Sequence, residues 1–225
     1  MIQGIAFDLE GTVVNLELAH HEAHLKLCRE LGVQLTLEEA IEKIHHFIGG
    51  PDSVIASEIF ELSGKEQSPE WILNQDAIYY KQFLATMPIA PRDGFVELFE
   101  WCKQHAVKTA IGSLTDDRDA QHIIDASGLS RLFDPTTIIL KSHVKNLKPA
   151  PDVFLETAKR MGIEPTQQLV FEDSPRGVEA ARKAGSRAIG MPVYHTEPVI
   201  AALRNAGAEE VFLEWKEVPI ARLIL

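Results

Sequence analysis

The sequence predicts an α/β fold, a doubly wound parallel sheet with a small α-helical domain inserted into it. Three observations predict it. Short apolar runs alternate with helical patterns after Pro88, the stretch from residue 15 to residue 87 is helical throughout, and a lone apolar run at residues 3–8 ends in Asp8. Alternating strands and helices signal βαβ units and therefore parallel pairing. A single strand beside a helical block would leave its backbone groups unpaired, so the first strand must join the later sheet. The helical stretch is then an insertion: residues 1–14 and 88–225 form the core, and residues 15–87 form a helical cap.

Each element has its own signal. The first strand, residues 3–8, carries Ile5-Ala6-Phe7. A helix is expected from Leu16 to Leu31, stopped by Gly32, and Thr36-Leu37-Glu38-Glu39 is a capping box that opens a second. Gly49-Gly50-Pro51 breaks the chain, Pro51 suits the first turn of a third helix, and Ser68-Pro69 opens a fourth. Trp71, Tyr79, Tyr80 and Phe83 fall at helical spacing and are expected to pack into the core of this helical block. In the second block, strands are expected at 108–112, 137–140, 169–172, 188–190 and 211–213, with helices beginning near Asp93, Asp116, Pro151, Pro175 and Thr196.

Composition narrows the function. The 225 residues are 45% apolar and 24% charged, an ordinary globular balance that needs no staple. Cys28 and Cys102 lie inside apolar helical patterns without C-x-x-C spacing and read as buried, reduced thiols. The formal net charge of −11 repels nucleic-acid backbones and anionic membranes. Residues 1–4 show neither a basic leader nor a long apolar segment, so a cytoplasmic protein acting on small molecules is expected, as a monomer or weak homodimer.

Four segments carry chemistry, each expected at or just after the carboxyl end of a strand, where open α/β sheets gather ligands. Asp8 and Glu10 flank Leu9 ahead of Gly11, which lets the chain turn sharply so that both acids can point into one crevice. Ser113 closes Thr109-Ala110-Ile111-Gly112 and offers a hydroxyl followed by backbone N–H groups, a setting for a phosphate. Lys148, stiffened by Pro149 and Pro151, supplies a compact positive charge. Glu172-Asp173 ends the apolar run Leu169-Val170-Phe171, and carboxylates there invite a divalent cation; Ser174 reads as the cap of the next helix.

In this order and context the segments resemble the haloacid dehalogenase-like (HAD) superfamily, in its helical-cap group that includes β-phosphoglucomutases and phosphoglycolate phosphatases. The resemblance spans essentially the whole chain: Asp8-Leu9-Glu10-Gly11-Thr12, then Ser113, then Lys148 with Pro149, then Glu172-Asp173. It implies a Rossmann-like core and hydrolysis of small phosphate monoesters through an aspartyl-phosphate. Asp8 would be the nucleophile and Glu10 the general acid and base. Mg²⁺ would be held by Asp8, the carbonyl of Glu10, Asp173 and Glu172; Ser113, the N–H of Leu114 and Lys148 would hold the phosphoryl group, and the cap would select the substrate.

The sequence also departs from its relatives. Most phosphatases of the family have Asp two residues after the nucleophile, where this chain has Glu10, longer by one C–C bond of about 1.5 Å. That substitution leaves a non-catalytic phosphate-ligand binder as an alternative. Dehalogenases would not need Glu172-Asp173, and phosphonatases use a cap lysine that Gly49-Gly50-Pro51-Asp52 does not offer. β-Phosphoglucomutases share a cap-entry histidine at His20 but differ at Leu16 and Pro51, so phosphotransfer is the second alternative. His20 and His24, at i,i+4 spacing, read as polar cap residues rather than a zinc site, with His20 a candidate to face the substrate; Arg118 and Arg176 read as surface or ion-pair residues.

Overall fold

The computed structural model describes residues 1–47, 51–64 and 67–224. The expected break at Gly49-Gly50 lies outside the described residues. The chain divides into two compact units, one of residues Leu16–Met87 and one that joins Met1–Asn15 to the segment from Pro88 onward.

The α/β unit is built on a six-stranded, all-parallel sheet. Its strands are β1 (Gly4–Phe7), β2 (Lys108–Gly112), β3 (Ile138–Ile139), β4 (Gln168–Glu172), β5 (Arg187–Gly190) and β6 (Glu210–Val211), in the order β3-β2-β1-β4-β5-β6. β1 lies at the centre, with Phe7 level with Ile111 on one side and Phe171 on the other. This register brings Asp8, Ser113 and Glu172 to the same edge of the sheet. Both faces are buried. Ala6, Ala110 and Val170 pack beneath Val153 and Phe154 of α7 (Asp152–Met161), Val178 of α8 (Pro175–Lys183) and Leu203 of α9 (Glu197–Ala206). On the other face, Phe7 stacks on Phe171 at 5.7 Å and meets Phe95 edge-on at 5.2 Å, with Phe133 and Trp215 closing the cluster.

The strand expectations hold, with shorter outer strands: β3 and β6 have two residues each because only those pair with a neighbour. The core helices begin near the residues expected. α5 (Phe95–Gln104) starts at Gly94, whose φ of +86° makes the turn, while the Asp93 side chain pairs with Lys216 instead of capping. Thr196 precedes α9 without a side-chain capping bond. Asp116 and Ser174 do cap α6 (Asp117–Ala126) and α8. A closing helix, α10 (Ile220–Ile224), was not foreseen; it is too short for periodicity to reveal.

The helical unit holds α1 (Glu17–Glu30), α2 (Leu37–Lys43), α3 (Asp52–Leu62) and α4 (Pro69–Leu84). Thr36 and Glu39 form the expected capping box, and the Ser68 side chain caps α4 with Pro69 in its first turn. Pro51 is the residue before α3 rather than within its first turn. The core is Ala23, Leu27, Cys28, Ile55, Ile59, Ile72 and Tyr79. Tyr80 and Phe83 pack against it half-buried, but Trp71 is 39% exposed: Ile72, buried in the same turn, lies in line with Asp76 and Tyr79, and Trp71 is turned about 100° from it around the helix. Both cysteines are free and buried. Among the described residues no helix is long and apolar enough to cross a membrane.

Candidate active site

Three apolar strands deliver the polar groups. Asp8 follows β1, and its N–H donates to the Phe171 carbonyl at 3.0 Å, continuing the ladder one residue past the strand. Leu9 then turns the chain: the N–H groups of Val13 and Val14 both donate to its carbonyl, and Gly11 takes φ +79°. The glycine is required twice over. A Cβ at Gly11 would lie 2.2 Å from Asp173 Oδ2, so only glycine lets the turn reach this carboxylate.

Lys148 is the centre of the cluster. It arrives on the long loop between β3 and α7, well past the strand end where the sequence placed it, because β3 stops at Ile139. Its Nζ lies 2.5 Å from Asp8 Oδ1 and 2.5 Å from Glu172 Oε1, and the Gly112 carbonyl is at 3.4 Å. Arg176 is exposed, as its surface reading expects, and also donates to the Lys148 carbonyl at 2.6 Å, bracing the loop. Glu172 is buried and uses both oxygens: Oε1 accepts from Lys148, and Oε2 accepts from the N–H and hydroxyl of Ser174, each at 2.9 Å. Gly177 makes room for it, since a Cβ there would lie 1.8 Å from Oε1.

Charge in this site does not balance. Asp8, Glu172 and Asp173 offer carboxylate oxygens within 4.8 Å of one another, the one His/Cys/Asp/Glu group of this kind among the described residues. Three carboxyl groups face one ammonium group, that of Lys148. Burial pushes the Asp8 carboxyl up to about 7 against the pull of Lys148, and burial together with Glu172 and Asp8 holds Asp173 well above the usual carboxylate range. Lys148 is driven upward by Asp8 and Glu172 despite its own burial and stays charged. An all-oxygen donor set with surplus negative charge suits a hard divalent cation such as Mg²⁺.

The remaining predicted residues are placed as follows. Glu10 is half-buried, and its Oε1 accepts from the hydroxyl of Thr115 at 2.5 Å. Ser113 is buried and donates to the Thr115 hydroxyl at 3.0 Å, while Leu114 packs half-buried against the core. His20 lies on α1 of the helical unit and stacks on Tyr80 at 4.2 Å. His24 is buried against Asp76, with Nδ1 2.7 Å from Oδ1, which accounts for it without a metal. Sequence reasoning passed over Thr115, Gly177 and Arg92. The Arg92 guanidinium donates to the carbonyls of Gly11, Met191, Pro192 and Leu213, tying the Asp8 turn to the far strands. A glycine inside a helix was the one visible signal among them.

The sequence matches the haloacid dehalogenase-like hydrolase family over residues 5–191. The chain belongs to that family. Among relatives of this haloacid dehalogenase-like hydrolase, the fructose-1-phosphate phosphatase YqaB of Escherichia coli is 31% identical over 186 residues, covering 83% of this chain and 94% of the relative. A phosphorylated carbohydrates phosphatase of Thermotoga maritima is 28% identical over 228 residues, covering 96% of this chain and all of the relative. The fold of this hydrolase is also that of a HAD family hydrolase from Deinococcus radiodurans solved with bound phosphate and sodium, at a TM-score of 0.80 and 23% identity, covering 98% of this chain and 95% of that one.

Proposed function

We propose that this hydrolase is a Mg²⁺-dependent phosphomonoesterase acting on small phosphorylated sugars, with Asp8 as nucleophile. The observation that carries the reading is the buried Lys148 bridging Asp8 and Glu172 at 2.5 Å each, inside a cluster that still lacks positive charge. The substrate class follows the two relatives that act on fructose 1-phosphate and on phosphorylated carbohydrates. Asp8, Asp173 and the carbonyl of Glu10 would hold the cation; Glu172, engaged by Lys148 and Ser174, serves to fix Lys148 beside the nucleophile. When bound, the cation neutralises repulsion between a carboxylate and a phosphate dianion and keeps Asp8 ionised.

The reaction then runs on the chain's own groups. A carboxylate oxygen of Asp8 forms a bond to phosphorus while the bond from phosphorus to the leaving oxygen breaks, and Glu10 gives that oxygen its proton. Lys148, Ser113 and the N–H of Leu114 hold the phosphoryl oxygens. Water next attacks phosphorus and passes a proton to Glu10; the bond to Asp8 breaks, releasing phosphate and restoring both acids. The cap helices are expected to choose the leaving group, with His20 as one contact.

The test is a screen of sugar phosphates with the purified protein in Mg²⁺, with Asp8→Asn and EDTA as controls. Phosphate release that both controls abolish supports the reading. An inert parent that still binds Mg²⁺ overturns it in favour of a phosphate-ligand binder, and transfer between positions of one sugar without phosphate release overturns it in favour of a mutase.

A further inference from the structure

We propose that Thr115 is a positioning residue that holds the Glu10 carboxylate in place for proton transfer, a role that rests on the phosphatase reading above. The Thr115 hydroxyl donates to Glu10 Oε1 at 2.5 Å. Its own direction is set by a second interaction: Ser113 donates to Thr115 Oγ1 at 3.0 Å, and the Thr115 N–H returns a bond to Ser113 Oγ at 3.2 Å. With the Thr115 oxygen accepting from Ser113, its hydrogen is directed to Glu10. Ser113 follows the buried end of β2, Ala110-Ile111-Gly112, and is itself buried, so the tether is anchored to the sheet.

Such a tether answers a specific need of this chain. Glu10 carries one more rotatable bond than the aspartate of most related phosphatases, and its carboxylate can occupy more positions around the leaving oxygen. A misplacement of about 1 Å can cost on the order of 10²-fold in rate. Fixing Oε1 selects one of those positions for the proton exchange. When a substrate phosphoryl group draws the Ser113 hydroxyl away, the bond from Thr115 to Glu10 survives, because it uses the hydrogen of Thr115 itself.

The test compares Thr115→Val, which keeps shape and loses the hydroxyl, with Thr115→Ser, which keeps the hydroxyl. The measured quantity is kcat/KM, which covers events through formation of the aspartyl-phosphate, for a sugar phosphate and for p-nitrophenyl phosphate, whose acidic leaving group needs little protonation. Thr115→Val is expected to lose roughly 10- to 100-fold on the sugar phosphate and under about 3-fold on the aryl ester, with calorimetric Mg²⁺ affinity unchanged and Thr115→Ser close to the parent. Equal losses on both substrates, no loss on either, or a serine variant as poor as the valine variant would overturn the role while leaving the phosphatase reading intact. A parent inert toward both substrates would overturn the phosphatase reading and this role with it.

Discussion

Replacing Gly177 with alanine sets two physical effects against each other. Gly177 is the third residue of α8, and alanine in a helix is favoured over glycine by up to about 1 kcal/mol, so propensity alone predicts a stabilised protein. The added Cβ, however, would sit 1.8 Å from Oε1 and 1.9 Å from Cδ of Glu172. A surface glutamate would swing aside. Glu172 is 1% exposed and held by Lys148 at 2.5 Å and by Ser174 at 2.9 Å twice, so it has no free direction. Displacing it costs hydrogen bonds to charged groups, about 1.5–3 kcal/mol each, plus overpacking of about 1–3 kcal/mol. With two such bonds lost, Gly177→Ala is expected to destabilise by about 3–8 kcal/mol after the gain in propensity. In a chain of this size that lowers Tm by on the order of 10 °C. Urea unfolding and a thermal melt measure the change. A variant as stable as the parent, or more so, would show that Glu172 is not clamped and that the account of the cluster is wrong.

Two further outcomes follow from the same cluster. Lys148→Met removes the one cation that faces three carboxylates, and stranding buried charges costs about 3–5 kcal/mol, so the variant should melt earlier than the parent in EDTA and recover part of the loss in Mg²⁺, with turnover abolished; an unchanged melt in EDTA would refute this. The metal-free protein should also lose stability as pH rises from about 4 to about 7. A folded Asp8 that titrates near 7 keeps a proton which the unfolded chain, at 3.8, has already released, so the contribution is complete below 3.8 and lost on passing through 7, on the order of 4 kcal/mol in all. Asp173 acts in the same sense, whereas His21, lowered by burial, works oppositely. The parent's slope minus that of Asp8→Asn, from urea unfolding in EDTA, isolates the Asp8 part; equal slopes would contradict it, as would Mg²⁺ stabilisation that failed to grow with pH.

The fold was legible because its signals are local and repeated. Leu169-Val170-Phe171 reads as a strand buried on both faces, and it is; Thr36 and Glu39 announce a cap that forms as written. What escaped lies where local rules lose to distant partners. The helix expected near Asp93 forms, but the positive φ of Gly94 starts it, while a lysine 123 positions later takes the Asp93 carboxylate. Trp71 is aromatic, yet its neighbour Ile72 is the residue at i, i+4, i+7 spacing with Asp76 and Tyr79, and takes the buried place.

Within the site, the groups that would react were visible and the groups that hold them were not. Asp8, Lys148, Glu172 and Asp173 stand out because a charge at the end of an apolar strand is costly without a purpose, and the structure does bring all four together. Their supports have no such cost in sequence. Arg92 could be any surface arginine, and only the folded chain shows it closing four carbonyls from three segments around the Asp8 turn. Thr115 could be any residue ahead of the helix that Asp116 caps, and only the parallel register of β1 with β2 sets it beside Glu10. Supporting residues are chosen for distance rather than chemical type, and distances across a sheet are set by topology. The longer reach of Glu10 therefore cannot be judged from position 10 alone; its effect depends on position 115.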